Sequence, residues 1–156
     1  MTDAAIMCHR SQRLYLPGER VPIGSWGHTI LGIGPAHNFY FREYLFEKIR
    51  QAEFNDKPSR MDSVFAFVNQ QFALNWQRGQ ENTYAVHLSD PTGNIHRGDM
   101  SWLDQLYQCR TFEAAEYCAR RYWKGEQRQP DALEIVAASD LIVEERIFPV
   151  DITDGR

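Results

Sequence analysis

His9 and Arg10 stand together in the apolar segment AAIMCHR, shortly before LYLPGE. A histidine at a strand end can donate a hydrogen bond to a ribose hydroxyl, and the arginine beside it can meet a phosphate. The plainer reading is a partly buried, satisfied histidine. Phe65 and Phe67 alternate along SVFAF on the face opposite Val64, Ala66 and Val68. An aromatic facing a cleft can stack on a flat ring such as nicotinamide, whereas one facing inward simply packs the core. Two acids are candidates for chemistry. Asp99, in HRGDMSWLD, could stabilise a cationic transition state or take a proton, and it could equally cap a helix starting near Met100. Glu134 sits inside the apolar run ALEIV. Outward alternation would place it in solvent, while an inward carboxylate would need a compensating reason. Arg42, Arg60 and the pair Arg120-Arg121 could line an anion site or serve as surface and salt-bridge residues.

Short motifs with fixed chemistry are missing: there is no GxGxxG, P-loop, GxSxG or HExxH. The spacings of the five histidines suggest no metal cluster, and Cys8, Cys109 and Cys118 form neither a CxxC pair nor an even set. The expectation is therefore no metal and no disulfide framework. The 156 residues carry a net charge of −4, which argues against extensive duplex contacts. Of 17 basic residues three are lysine (Lys48, Lys57, Lys124) and the rest arginine, a side chain suited to phosphates, although genomic bias explains the excess as well. MTDAAIMCHR resembles neither a signal nor a transit peptide, and no run approaches the ~20 apolar residues of a membrane span, so a cytoplasmic address is expected.

The elements that must position these residues follow from periodicity. Residues 4–9 read as a buried strand, and 14–19 (LYLPGE) as a strand ending in a Pro-Gly turn. Residues 20–37, with four glycines and Pro35, read as an irregular functional loop. Asn38 caps a helix to about Ala52, whose apolar face is Phe41, Leu45, Ile49 and Ala52, with Arg42, Glu43, Glu47 and Arg50 on the other side. DSVFAFV at 62–68 is a central strand, QQFALNWQ a short helix carrying Phe72 and Trp76, and 82–88 an alternating strand before the turn SDPTGN. Thr111 caps a helix with the stripe Phe112, Ala115, Ala119 and Tyr122, a Glu116–Arg120 pair, and Gly125 as its stop. ALEIVAASDLIVEERIFPV closes the chain as two β segments or one long bent strand. The whole, residues 1–156, reads as one α+β domain.

In their order, CHRSQRLYLPGE, DSVFAFVNQQFALNW, NTYAVHLSDPTGNIHRGDMSWLD, ARRYWKGE and ALEIVAASDLIVEER resemble the ADP-ribosyltransferase-like superfamily. The layout is similar to that of the small rifamycin ADP-ribosyltransferases and of an uncharacterised bacterial domain family. The resemblance implies a compact split β-sandwich, two small sheets forming an NAD cleft, with flanking helices. It implies NAD as substrate, no metal, His9 on the ribose, and Phe65 or Phe67 stacked on the ring where relatives usually have Tyr. It makes Asp99 or Glu134 the acid and places Arg10, Arg42 and Arg60 around NAD. The implied activity is NAD-dependent transfer of ADP-ribose to an unidentified protein, nucleic acid or small-molecule acceptor, as in a toxin or phage-defence effector. The alternatives are an inactive nucleotide-binding or interaction module, and a small nuclease-type toxin using His9 or His96 with an acid. The aromatic helix at 38–52 or paired strand edges could support a homo-oligomer.

Overall fold

The computed structural model describes residues 6–75 and 81–149. Among them, strands β1 (Met7–Ser11), β2 (Arg20–Val21), β3 (Val64–Phe67), β4 (Asn82–Leu88), β5 (Ile95–Asp99), β6 (Leu133–Ala137) and β7 (Leu141–Ile147) form one antiparallel sheet in the order β2-β7-β4-β1-β3-β6-β5. The helices are α1 (Ser25–Ile33), α2 (Tyr40–Glu53), α3 (Gln70–Asn75), α4 (Ser101–Gln105) and α5 (Phe112–Trp123). The protein is α+β. In place of two small sheets there is one hydrogen-bonded sheet, but its middle seam is narrow. β1 is in register with β4 from Met7↔Val86 to Ser11↔Asn82, and with β3 at Cys8↔Phe67. That pair joins four strands to the other three, and it leaves backbone groups beyond it to find other partners.

One sheet face carries Val64, Ala66, Tyr84, Val86, Ile135 and Val143 into a core. On the other, α2, α4 and α5 pack Phe46, Ile49, Leu103, Ala119 and Trp123 against Val136. The Trp123 indole N–H donates to the Phe46 carbonyl at 2.9 Å, so a fully buried polar group is satisfied across two helices.

Four local expectations need correction. Residues 14–19 form no strand: Glu19 N–H bonds Leu16 O at 3.1 Å in a turn where Gly18 has φ 87°, Gly18 N–H and Glu19 O bond the Val143 backbone, and β2 itself starts at Arg20. The supposed loop at 20–37 contains α1, which lies so close to the 3-10 turn Arg60–Asp62 that the helix needs a glycine at the contact. A Cβ on Gly27 would stand 2.0 Å from the Met61 carbonyl oxygen. Gly27→Ala is therefore expected to cost about 2–3 kcal/mol in urea unfolding, because backbone rather than a flexible side chain must move. Helix α2 begins at Tyr40 with no side-chain cap, and it buries Arg42, Glu43, Phe46 and Ile49 while Phe41 is 47% exposed. The buried face is thus the one that carries Arg42 and Glu43, two charges expected on the solvent side, while Phe41 and Ala52 are exposed. On α5 the stripe is Ala115, Cys118, Ala119, Tyr122 and Trp123, with Phe112 exposed; the Thr111 cap and Glu116–Arg120 pair are present. Ala4, Ala5 and Trp76 lie outside the described residues. Among those described, no helix is long and apolar enough to cross a membrane.

Candidate functional site

Where β1 and β3 part, a cleft of about 490 Å³ opens between the sheet and helices α1, α2 and α4. His9 and Arg10 come to it from β1, Phe65 and Phe67 from β3, Glu134 from β6, Arg42 from α2, and Arg60 from the turn before β3. Every cofactor-binding residue expected from the sequence, and one of the two acids, therefore lines a single cavity.

His9 Nδ1 lies 2.8 Å from the Phe65 carbonyl oxygen. A carbonyl only accepts, so Nδ1 carries the proton, and Nε2 is left as an acceptor. The bond also stitches β1 to β3 just beyond the Cys8↔Phe67 pair. Burial holds the His9 pKa below the ordinary histidine value, with the Phe65 bond opposing and Arg10 assisting, so the ring is neutral around pH 7. Arg10 stacks over the Phe67 ring at 4.4 Å and approaches Glu81 at 3.7 Å. Phe65 carries the Arg60 guanidinium over its face at 4.6 Å. Both rings thus present one face already matched to a cation.

Behind Phe65 lies a buried charge network. The Arg60 Nε–H and Nη2–H donate to the two Glu43 carboxylate oxygens at 2.9 and 3.2 Å, while Nη1 bonds Glu134 Oε1 and the Tyr122 hydroxyl. Tyr122 O–H also donates to Glu134 Oε1 at 2.6 Å, and Arg42 Nη2 caps Glu43 at 2.9 Å. Burial pushes the Glu43 carboxyl up, but the Arg60 and Arg42 guanidiniums and the bonds they donate pull it down to about 2. The Tyr122 hydroxyl is pushed well above its ordinary value, first by burial, so it is a donor and not an anion. Glycine at position 98 permits this arrangement: a Cβ there would lie 2.3 Å from the Tyr122 ring. Glu134 is inward, and its compensating reason is Arg60.

Asp99 is elsewhere. It is fully buried and does not line the cleft; its Oδ1 accepts from Ser101 N–H at 2.8 Å, and its Oδ2 from the Arg128 and Gln129 amides. Met100, not Asp99, is the N-cap of α4, but Asp99 supports the helix start from one residue earlier by satisfying the Ser101 amide. His96 is also a core residue: its Nε2–H donates to the Tyr122 carbonyl at 2.9 Å, and burial lowers its pKa to about 4. Arg120 and Arg121 lie outside the cleft and pair with Glu53, Glu116 and Glu126.

Residues unforeseen from the sequence complete the walls: Trp26 on α1, Phe39 before α2, and Glu81 before β4. Phe39 holds the Arg42 guanidinium over its ring at 4.3 Å. Glu43 and Tyr122 do not depend on the cleft for their interest, because they anchor what lines it. A sequence signal existed for Tyr122, since a tyrosine on a core stripe needs a partner for its hydroxyl. Among the described residues no cluster of three or more His, Cys, Asp or Glu side chains could hold a metal ion.

A comparison with curated proteins gives no significant match. Residues 31–147, which include α2, the seam strand β3 and the strand bearing Glu134, match one family, described as a protein of unknown function (DUF2441), and on that extent of the chain the protein belongs to the DUF2441 family.

Proposed function

We propose that the cleft binds NAD and that the protein is an NAD-dependent ADP-ribosyltransferase with an ADP-ribosyltransferase-like fold. The observation that carries this reading is the convergence of His9, Phe65, Phe67 and Glu134 on one cavity at the narrow seam of the sheet. The neutral His9 ring offers Nε2 to a ribose hydroxyl. Phe65 or Phe67 offers a face to the nicotinamide, and Arg10 and Arg42 offer donors to the pyrophosphate. In transfer, the bond between ribose C1′ and the nicotinamide nitrogen breaks, with its electron pair leaving on nicotinamide. The acceptor then bonds to C1′ and releases its proton. Glu134, a buried carboxylate, would stabilise the oxocarbenium-like centre and orient that acceptor.

A second reading has its own observation. Glu134 Oε1 is held by both Arg60 and Tyr122, so the acid is partly neutralised by an internal cation. A nucleotide-binding module without transfer fits that pairing. Calorimetry with NAD and chromatography of released nicotinamide separate the two. Binding with release, reduced about 10²–10³-fold in Glu134→Gln while binding persists, supports the transferase. Binding without release in the presence of lysate acceptors supports the module, and no binding overturns both.

His9 gives a further expected result. His9→Ala should weaken NAD binding about 3- to 10-fold, the worth of one hydrogen bond. Because the folded pKa of His9 is lowered, wild-type binding should stay level from pH 8 down to the ordinary histidine value of 6.5. It should weaken only at more acidic pH, where Nε2 gains a proton and ceases to accept. Titration calorimetry across that range checks it; a drop in wild-type binding that persists in His9→Ala would overturn the role.

A further inference from the structure

A second, more open pocket of about 560 Å³ shares no lining residue with the cleft, and Cys109 and Cys118 both line it, with Trp102, Tyr117 and Arg128. The two sulfurs are 3.8 Å apart, in van der Waals contact. Cys109 ends the 3-10 turn that follows α4 and is half-buried, while Cys118 is buried in the middle of α5. Cys8, the remaining cysteine, is buried in a separate cluster with Phe67 and Ala73.

We propose that Cys109 and Cys118 form a reversible dithiol–disulfide site whose oxidant is a small peroxide admitted by this pocket. Bond formation requires the sulfurs to close from 3.8 Å to about 2.05 Å. Cys109 lies at a turn end with extended backbone (φ −75°, ψ 137°), outside any helix, so it is the partner free to make that movement. It is also the sulfur on the solvent side. The Cys109 thiolate attacks one peroxide oxygen, the O–O bond breaks, and hydroxide leaves, giving a sulfenic acid. The Cys118 sulfur then attacks the Cys109 sulfur, displacing hydroxide that takes up the Cys118 proton. In sum, two thiols are oxidised and one peroxide is reduced to two waters. Burial pushes the Cys118 thiol up to about 11, which suits it to the second, resolving step and not the first. The product ties the turn after α4 to α5. That turn continues α4, which carries Ser101 and Asp104 to the cleft, and α5 carries Tyr122 to Glu134.

The test needs no NAD activity, so it succeeds or fails independently of the transferase reading. The native full chain is treated with dilute hydrogen peroxide, quenched in denaturant with an alkylating thiol reagent, and its free thiols counted. Three thiols should fall to one, Cys8, and a thiol reductant should restore all three. Trypsin cleaves after Arg110, so the new bond should hold together two peptides that reduction separates. In Cys109→Ser no such linked pair should appear. Retention of three thiols overturns the proposal. So do loss through covalent dimers and irreversible oxidation of Cys109 without a link.

Discussion

Arg60→Met is expected to destabilise the protein by about 3–5 kcal/mol at neutral pH, the range for removing one partner from a buried ionic group. Methionine keeps much of the volume, so the loss reports charge and hydrogen bonding more than a cavity. Arg42 and Arg60 balance Glu43 and Glu134 within a region where all four are at least 92% buried. Removing Arg60 leaves two carboxylates to share Arg42, which reaches Glu43 through Nη2. The pH dependence carries the sign. In the wild type Glu43 titrates at about 2 instead of its ordinary 4.5. Its depressed folded pKa corresponds to about 3 kcal/mol of stability, fully present above pH 4.5 and lost as pH falls through 4.5 towards 2. In Arg60→Met the larger of the two charges that depress it is gone, and protonating the under-paired carboxylates relieves the fold. Urea midpoints should therefore differ most near pH 7 and converge towards pH 4. A constant difference across that range would show that Arg60 acts by packing alone.

The sequence made the strands easier to read than the burial of charge. β3, β4, β6 and β7 follow from β-branched and aromatic runs with a period of two, and α5 from Thr111 and Gly125 at its ends. The helix α2 shows why a face is harder to read. Its residues 41, 45, 49 and 52 form an apolar stripe, but 42, 46 and 49 have equivalent spacing, and both sets share Ile49. Choosing the first assumes that Arg42 and Glu43 seek water. Here Glu43 finds Arg60 instead, from a turn 17 residues beyond it, Arg42 pairs with Glu43, and no local pattern encodes the Arg60 partner. The same non-local pairing explains Glu134, whose two sequence readings differ only in whether a cation waits inside. The helix α1 was hidden for a different reason: its two glycines lower intrinsic helix propensity, yet Gly27 is what lets the helix touch the Met61 backbone. His9 was identifiable as a strand residue, but it stands in the middle of β1 and not at its end, and its tautomer depends on the Phe65 carbonyl across the seam.

Asp99→Ala is expected to cost about 3 kcal/mol or more, because it strands three amide donors at once and each lost partner for a buried donor costs about 1–3 kcal/mol, partly recovered where water enters. For a chain of this size the melting temperature should fall by about 6–12 °C. The geometry makes the carboxylate a staple between distant segments. Its Oδ1 holds the Ser101 amide at the start of α4, and its Oδ2 holds the Arg128 and Gln129 amides after α5. Ser101 and Gln129 both line the cleft, so Asp99 shapes the cavity without facing it. Asp99→Asn sharpens the distinction between support and catalysis. An asparagine keeps one acceptor oxygen but presents an NH₂ group to the amides that Oδ2 now receives, so it should restore only part of the stability. A catalytic acid would behave in the opposite way, with Asp99→Asn keeping the melting temperature while nicotinamide release collapses. Thermal unfolding of Asp99→Ala and Asp99→Asn beside NAD calorimetry decides between these outcomes. A large thermal loss, with NAD affinity retained at a temperature where the variants remain folded, assigns the residue to the scaffold and leaves Glu134 as the one of the two acids singled out in the sequence that faces the cleft.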